Sequence, residues 1–154
     1  MKAPVPAVLT TQRTILRPPQ SSDLPALHLV LGNQNVAYYL PHAAWEGPED
    51  GENWLAKADS RQALGTCMTY VIVLKESDLA VGFVVLFDFE ENRTFGRIGY
   101  ALGETYWGLG LVSEALESLL HHAFIGLGMQ RLEAEIDPAN NRSAGVLAKL
   151  GFQK

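Results

Sequence analysis

The chain has a single cysteine, Cys67, in 154 residues. No internal disulfide can form, which points to a reducing compartment, the cytoplasm. Long apolar runs are also missing: charge breaks every stretch well short of the roughly 20 residues that cross a bilayer. The N-terminus, Met1-Lys2-Ala3-Pro4-Val5-Pro6, holds two prolines and no apolar region of secretory length, so no export signal is read there. Basic charge is scarce, with 12 Lys and Arg against 17 Asp and Glu and a net charge of −5. That disfavours a nucleic-acid partner, which needs a basic patch, and mildly favours a cationic acceptor such as an amine. There is no Gly-Lys-Ser or Gly-Lys-Thr for a nucleotide phosphate loop. No metal is expected, because His121 and His122 are helix neighbours facing different directions and lack a partner at ligand spacing.

What is present is a globular composition, 47% hydrophobic and 19% charged, at a length that suits one domain over residues 1–154. Thr14–Arg17 reads as a strand stopped by Pro18-Pro19. Ser21-Ser22-Asp23 offers caps for a helix carrying Leu24, Leu27, His28 and Leu31, ended by Gly32-Asn33. Residues 38–47 are irregular, and Pro48-Glu49-Asp50 opens a second helix. Met68–Leu74, residues 80–87 and residues 96–102 form an antiparallel meander, with polar turns at 75–78 and 88–94. Gly96 and Gly99 suggest a bulge or a close backbone approach. Leu111, Val112, Ala115, Leu116, Leu119, Leu120, Ala123 and Phe124 form one apolar face of the clearest helix, stopped at Gly126 to Gly128. Residues 131–136 alternate with period two and read as a strand, and Asp137-Pro138-Ala139-Asn140 leads into a last helix over 141–150. The order β-α-α-β-β-β-α-β-α is a mixed α/β (α+β) domain: an antiparallel meander, then a parallel crossover through the long helix.

The sharpest chemical handle is Tyr106-Trp107-Gly108-Leu109-Gly110-Leu111-Val112-Ser113-Glu114-Ala115. A glycine-rich turn opening a helix presents backbone N–H groups at a positive helix end, a site for phosphate or pyrophosphate. A dinucleotide fingerprint is argued against by position, since about forty residues follow and too few βαβ units can be built from them.

Three companions accompany the turn: Thr14-Ile15-Leu16-Arg17-Pro18, Gly99-Tyr100-Ala101-Leu102, and Asn140-Asn141-Arg142-Ser143 followed by Lys149-Leu150-Gly151-Phe152. Together the four motifs, in this order, resemble the GNAT family of acyl-CoA N-acyltransferases, most closely the branch that acetylates protein N-termini, including those of ribosomal proteins. The resemblance covers essentially the whole chain. It implies the GNAT fold with acetyl-CoA as co-substrate. The diphosphate would sit on N–H groups from Leu109, Gly110, Leu111, Val112 and Ser113, in a turn begun by Trp107 and Gly108. The pantetheine arm would lie where residues 98–102 splay from residues 132–136, bonded to the backbone of Ala101 and Leu102, with Asn140 also near the cofactor. Two positions depart from the family pattern: Trp107 replaces Gln or Arg, and Val112 replaces Gly or Ala. Relatives continue past Gly151-Phe152 with two more strands, so the last C-terminal strands are expected to be missing. An exposed sheet edge and self-association, as a homodimer, are the expected consequence.

Direct acyl transfer requires the amine to lose a proton, the thioester carbonyl to be polarised and the leaving thiolate to be protonated. Glu104, Glu133, Glu135 and Asp88 are the candidate bases, Glu104 and Glu135 ranked first, and water remains an alternative because Arg97 stands where relatives often carry a polar or acidic residue. For the acid, Leu147 stands where many relatives carry a tyrosine, and the resemblance points to Ser143. Asn140 and Ser143 equally suit capping of the last helix. Tyr38, Tyr39, Trp45 and Trp54 suit either an acceptor pocket or the core. The expected function is acetyl-CoA-dependent acetylation of a primary amine, with a protein N-terminal α-amino group as acceptor. A small-molecule amine (polyamine, amino acid or antibiotic) and a non-catalytic acyl-CoA-binding domain are the alternatives.

Overall fold

The computed structural model describes residues 6–89 and 94–154. The proline-bearing N-terminus up to residue 5 and most of the turn expected at 88–94 lie outside the described residues. Six strands make one sheet in chain order: β1 (Leu9–Thr10), β2 (Thr14–Arg17), β3 (Met68–Leu74), β4 (Leu79–Phe87), β5 (Phe95–Leu102) and β6 (Arg131–Glu133). All neighbours are antiparallel except β5 and β6, which are parallel. The helices are α1 (Leu24–Leu31), α2 (Gln34–Ala37), α3 (Pro48–Leu64), α4 (Leu111–His121) and α5 (Asn141–Lys149). The mixed α/β class, the meander and the parallel crossover stand as the sequence implies.

The sheet is buried on both faces, which is why β3 reads as an unbroken apolar run. Tyr70 and Ile72 join the core formed with Leu111, Ala115, Leu116 and Leu119 of α4. Val71 and Val73, one residue out of phase, join Leu27, Val30 and Leu31 of α1 with Trp45 and Phe83. Trp54 packs edge-on to Phe83 and lies 6.0 Å from Trp45, so both tryptophans belong to the core.

Several expectations need correction. Asp23 does not cap α1 with its side chain. Its buried carboxylate takes two bonds from Arg17, at 2.8 and 2.7 Å, and one from the Gln20 N–H. Burial raises the Asp23 pKa, but these bonds outweigh it and hold the group below its ordinary value. The short helix α2 is additional, capped by Asn33, whose side-chain oxygen accepts from the Asn35 and Val36 N–H groups. The long helix changes pitch after His121: the Leu127 N–H reaches back five residues to the His122 carbonyl. This wider turn rotates Phe124 and Ile125 out to solvent, so Phe124 leaves the apolar face assigned to it.

The tightest backbone approach lies on β4, although Gly96 of β5 is also closely approached, a Cβ there meeting the Phe89 ring at 3.1 Å and the Phe87 carbonyl oxygen at 3.4 Å. A Cβ on Gly82 would collide with the Ala101 carbonyl oxygen, whereas one on Gly99 would meet only side-chain carbons of Phe87 and Val85, at 3.5 and 3.6 Å. The ladder irregularity is between β3 and β4, at Ile72 and Val73. Gly82→Ala should therefore lower unfolding stability by about 1–3 kcal/mol in urea titrations, and Gly99→Ala by clearly less. Equal losses would contradict this reading of the strand crossing.

Candidate active site

The glycine turn is shaped by backbone conformation. Gly108 and Gly110 both have φ of +76°, the left-handed region that a side chain disfavours. Helix α4 starts immediately after Gly110, which offers no side chain to cap it. Its first intrahelical bond runs from the Glu114 N–H to the Gly110 carbonyl, so the amides of Leu111, Val112 and Ser113 lack an intrahelical acceptor. The turn is exposed, and it is braced from the first hairpin. The Arg13 guanidinium donates to the Leu109 carbonyl and to Glu114 Oε1, both at 2.9 Å. Glu114 Oε2 accepts from the Thr11 hydroxyl at 2.6 Å and the Arg13 N–H at 2.9 Å. Partial burial would raise the Glu114 pKa; these hydrogen bonds hold it below its ordinary value. The brace joins residues about a hundred positions apart and has no local sequence signal.

The gap beside the turn comes from unequal strands. β5 and β6 pair only through Phe95/Arg131, Gly96/Leu132 and Arg97/Glu133. Beyond that register β5 runs on to Leu102, whereas β6 stops at Glu133 instead of reaching residue 136. The Gly103 N–H donates to Val81 on β4, and alternation along the strand then turns the amides of Ala101 and Gly99 toward β4 and those of Leu102, Tyr100 and Ile98 toward the gap. Of the two backbones expected to meet pantetheine, Leu102 faces the gap and Ala101 faces β4. Trp107 Nε1 donates to the Leu102 carbonyl at 2.8 Å, and Arg142 stacks on the indole with its guanidinium carbon 3.3 Å from the ring centroid.

Across the gap stands α5. Asn140 caps it, its Oδ1 accepting from the Ser143 N–H at 3.2 Å. The Ser143 hydroxyl does not cap; it shares a 2.7 Å hydrogen bond with the Tyr100 phenol of β5. Burial raises the Tyr100 pKa, partly offset by the Ser143 bond and the positive charge of Arg142. Tyr100 is the residue that sequence reasoning passed over. Its one signal was a phenol on the strand that flanks the expected gap.

The two favoured carboxylates both have partners. Glu104 accepts from the side-chain amides of Asn33, at 3.3 Å, and Asn35, at 2.7 Å, which ties it to the corner between α1 and α2. The Glu135 side chain is 82% exposed and 3.7 Å from Arg97. Arg97 also pairs with Asp88 at 2.8 Å and Glu133 at 3.8 Å, so all the candidate carboxylates have partners. The expected aromatic group divides: Trp45 and Trp54 are core, whereas Tyr38 is 78% exposed and Tyr39 donates to the Ala139 carbonyl just before α5. Among the described residues, no His, Cys, Asp and Glu side chains gather as a metal-holding group, and no helix is long and apolar enough to cross a membrane.

A free strand edge that runs into an uncapped, glycine-opened helix N-terminus, faced by a hydroxyl pair, defines a mixed α/β acyltransferase. Residues 13–153 match the model of the acetyltransferase (GNAT) domain, and the chain belongs to that family. It is an acetyl-CoA-dependent N-acetyltransferase. The uncharacterized N-acetyltransferase p20 of Bacillus licheniformis is 27% identical over 146 residues, 95% of this chain and 82% of that protein. The ribosomal protein uS5-alanine N-acetyltransferase of Escherichia coli is 37% identical over 57 residues, 37% of this chain and 29% of that protein. In fold, the chain matches Mycobacterium smegmatis RimJ in complex with CoA-disulfide, with a TM-score of 0.87 at 23% identity, over 97% of this chain and 77% of that one.

Because the native Glu114 pKa is lowered, the charged form stabilises the fold fully above its ordinary value of 4.5, and this is lost as pH falls through the lowered native value. The melting-temperature gap between wild type and Glu114→Gln should be full at neutral pH and close on acidification below 4.5. A gap independent of pH would argue against the charged brace.

Proposed function

We propose that this enzyme transfers the acetyl group of acetyl-CoA directly to a protein N-terminal α-amino group. The observation that carries the reading is the β5 edge left open beyond Arg97 and Glu133, leading to the amides of α4. The diphosphate lies on the N–H groups of Leu109 to Ser113, where the helix end is positive and no side chain competes. Pantetheine runs along the edge presented by Leu102 and Tyr100. Asn140 orders the start of α5 and thereby the approach to the sulfur.

Ser143 is the general acid for the thiolate. It is the hydroxyl at the gap on α5, and its N–H rather than its Oγ is engaged in the cap. Glu104 and Glu135 each have another partner, which supports water as the first acceptor of the amine's proton. The exposed Tyr38 and the Tyr39 contact to the segment before α5 suit an acceptor approaching from α2. The uS5-alanine N-acetyltransferase relative supports an α-amino acceptor over a small amine. The single buried cysteine fits a cytoplasmic setting. β6 is an edge strand, which supports self-association.

Two measurements test this. In a thiol-release screen with acetyl-CoA, peptides with free Ala or Ser N-termini should give higher kcat/KM than polyamines, amino acids or aminoglycosides; the reverse order would replace the acceptor class. Ser143→Ala should lower kcat by about 100-fold with little change in the KM for acetyl-CoA. Unchanged turnover would remove Ser143 from the chemistry.

A further inference from the structure

A serine hydroxyl carries one proton and two acceptor positions. The 2.7 Å contact between Ser143 Oγ and the Tyr100 phenol can be donated from either side. If Ser143 donates, its only proton points at Tyr100 and is not available to a leaving group. If Tyr100 donates, the Ser143 proton is free to point into the gap. The phenol is the stronger acid of the two groups, so it is the better donor. No other hydrogen bond is made by the Tyr100 hydroxyl among the described residues, so the phenolic proton has one outlet. The half-buried site keeps that proton in place, with burial dominating over the pull of Ser143 and Arg142.

We propose that Tyr100 is a positioning and relay residue that acts through Ser143: it orients the serine proton toward the departing sulfur and replaces that proton as it leaves. This rests on the assignment of Ser143 as the general acid. In the collapsing tetrahedral adduct, the new carbon–nitrogen bond is retained and the carbon–sulfur bond breaks with its electron pair moving to sulfur. The Ser143 proton passes to sulfur, and the Tyr100 proton passes to Ser143 Oγ. The ammonium loses two protons over the reaction. One is released, and the other returns to the Tyr100 phenolate through solvent. The Arg142 guanidinium, held flat on the Trp107 indole, supplies a positive charge close enough to favour the transient phenolate.

Tyr100→Phe removes the hydroxyl and keeps the ring that packs against the α4 core. In single-turnover acetyl transfer, Tyr100→Phe should slow the chemical step by about ten-fold or more while acetyl-CoA affinity stays within about two-fold. The double variant Tyr100→Phe/Ser143→Ala should be no slower than Ser143→Ala alone, because the phenol has no route to sulfur once the serine is gone. The rate in mixtures of light and heavy water should show more than one proton in flight in the wild type and one in Tyr100→Phe. A Tyr100→Phe rate close to wild type with Ser143→Ala still impaired would overturn the relay and leave the acid assignment intact. Losses that multiply in the double variant would also overturn it, as would a loss confined to acetyl-CoA affinity. An unimpaired Ser143→Ala would instead bring down the acid assignment, and the relay with it.

Discussion

A strand edge cannot leave its amides unpaired without water, a side chain or a ligand to satisfy them. In this enzyme β5 is longer than its parallel neighbour, and everything at the site follows from that mismatch. The three paired residues hold β6 and the start of β5 together. The remainder of β5 has β4 on one side and no paired strand on the other. The turn over residues 103–110, its Gly103, Tyr106 and Trp107 N–H groups bonded within the protein, carries the chain from that edge to the crossover helix α4, so a strand edge and a helix N-terminus with free amides lie on one stretch of chain. A long, thin thioester with an anionic tail has the matching sequence of demands: amide pairing along its length, then positive potential at its end.

The path is rigid because distant residues hold it. Arg13 and Thr11 come from the first hairpin and grip the first turn of α4 through Glu114. Gly82 lets β4 and β5 close on each other at Ala101 and Leu102, the end of the open edge nearest the glycine turn. On the acceptor side, Asn33 and Asn35 fasten the corner between α1 and α2 to Glu104, directly after β5. The carboxylate read from the sequence as a candidate base thus also ties that corner to the residues that follow β5. Its position next to the central strand made both roles equally readable.

The fold was largely legible because its signals are local. The short apolar runs of β3 and β4 between polar turns, the helical spacing of α1 and α4, and the stop at Pro18-Pro19 all give their elements directly. The glycine turn was legible because left-handed backbone singles out glycine at 108 and 110. What was not legible depends on pairing across the chain. The end of β6 at Glu133 reflects the loss of a neighbour, although residues 134–136 keep the alternation. The exposure of Phe124 reflects a change of pitch that no apolar pattern reports. The Tyr100–Ser143 pair spans 43 positions and the Arg13–Glu114 brace 101, so neither can be read from spacing.

Trp107 fills the place at the start of the turn where relatives carry a hydrogen-bonding or charged side chain, and its indole donates to the Leu102 carbonyl. At the Leu102 carbonyl the open edge is therefore already satisfied by the enzyme itself. A ligand that runs along β5 exchanges one hydrogen bond for another at Leu102 and gains little there. In the proposed binding mode, discrimination between acyl donors would then fall to the charged tail at α4 and to the reacting carbonyl beside Tyr100 and Ser143, with the Leu102 carbonyl acting as a neutral guide.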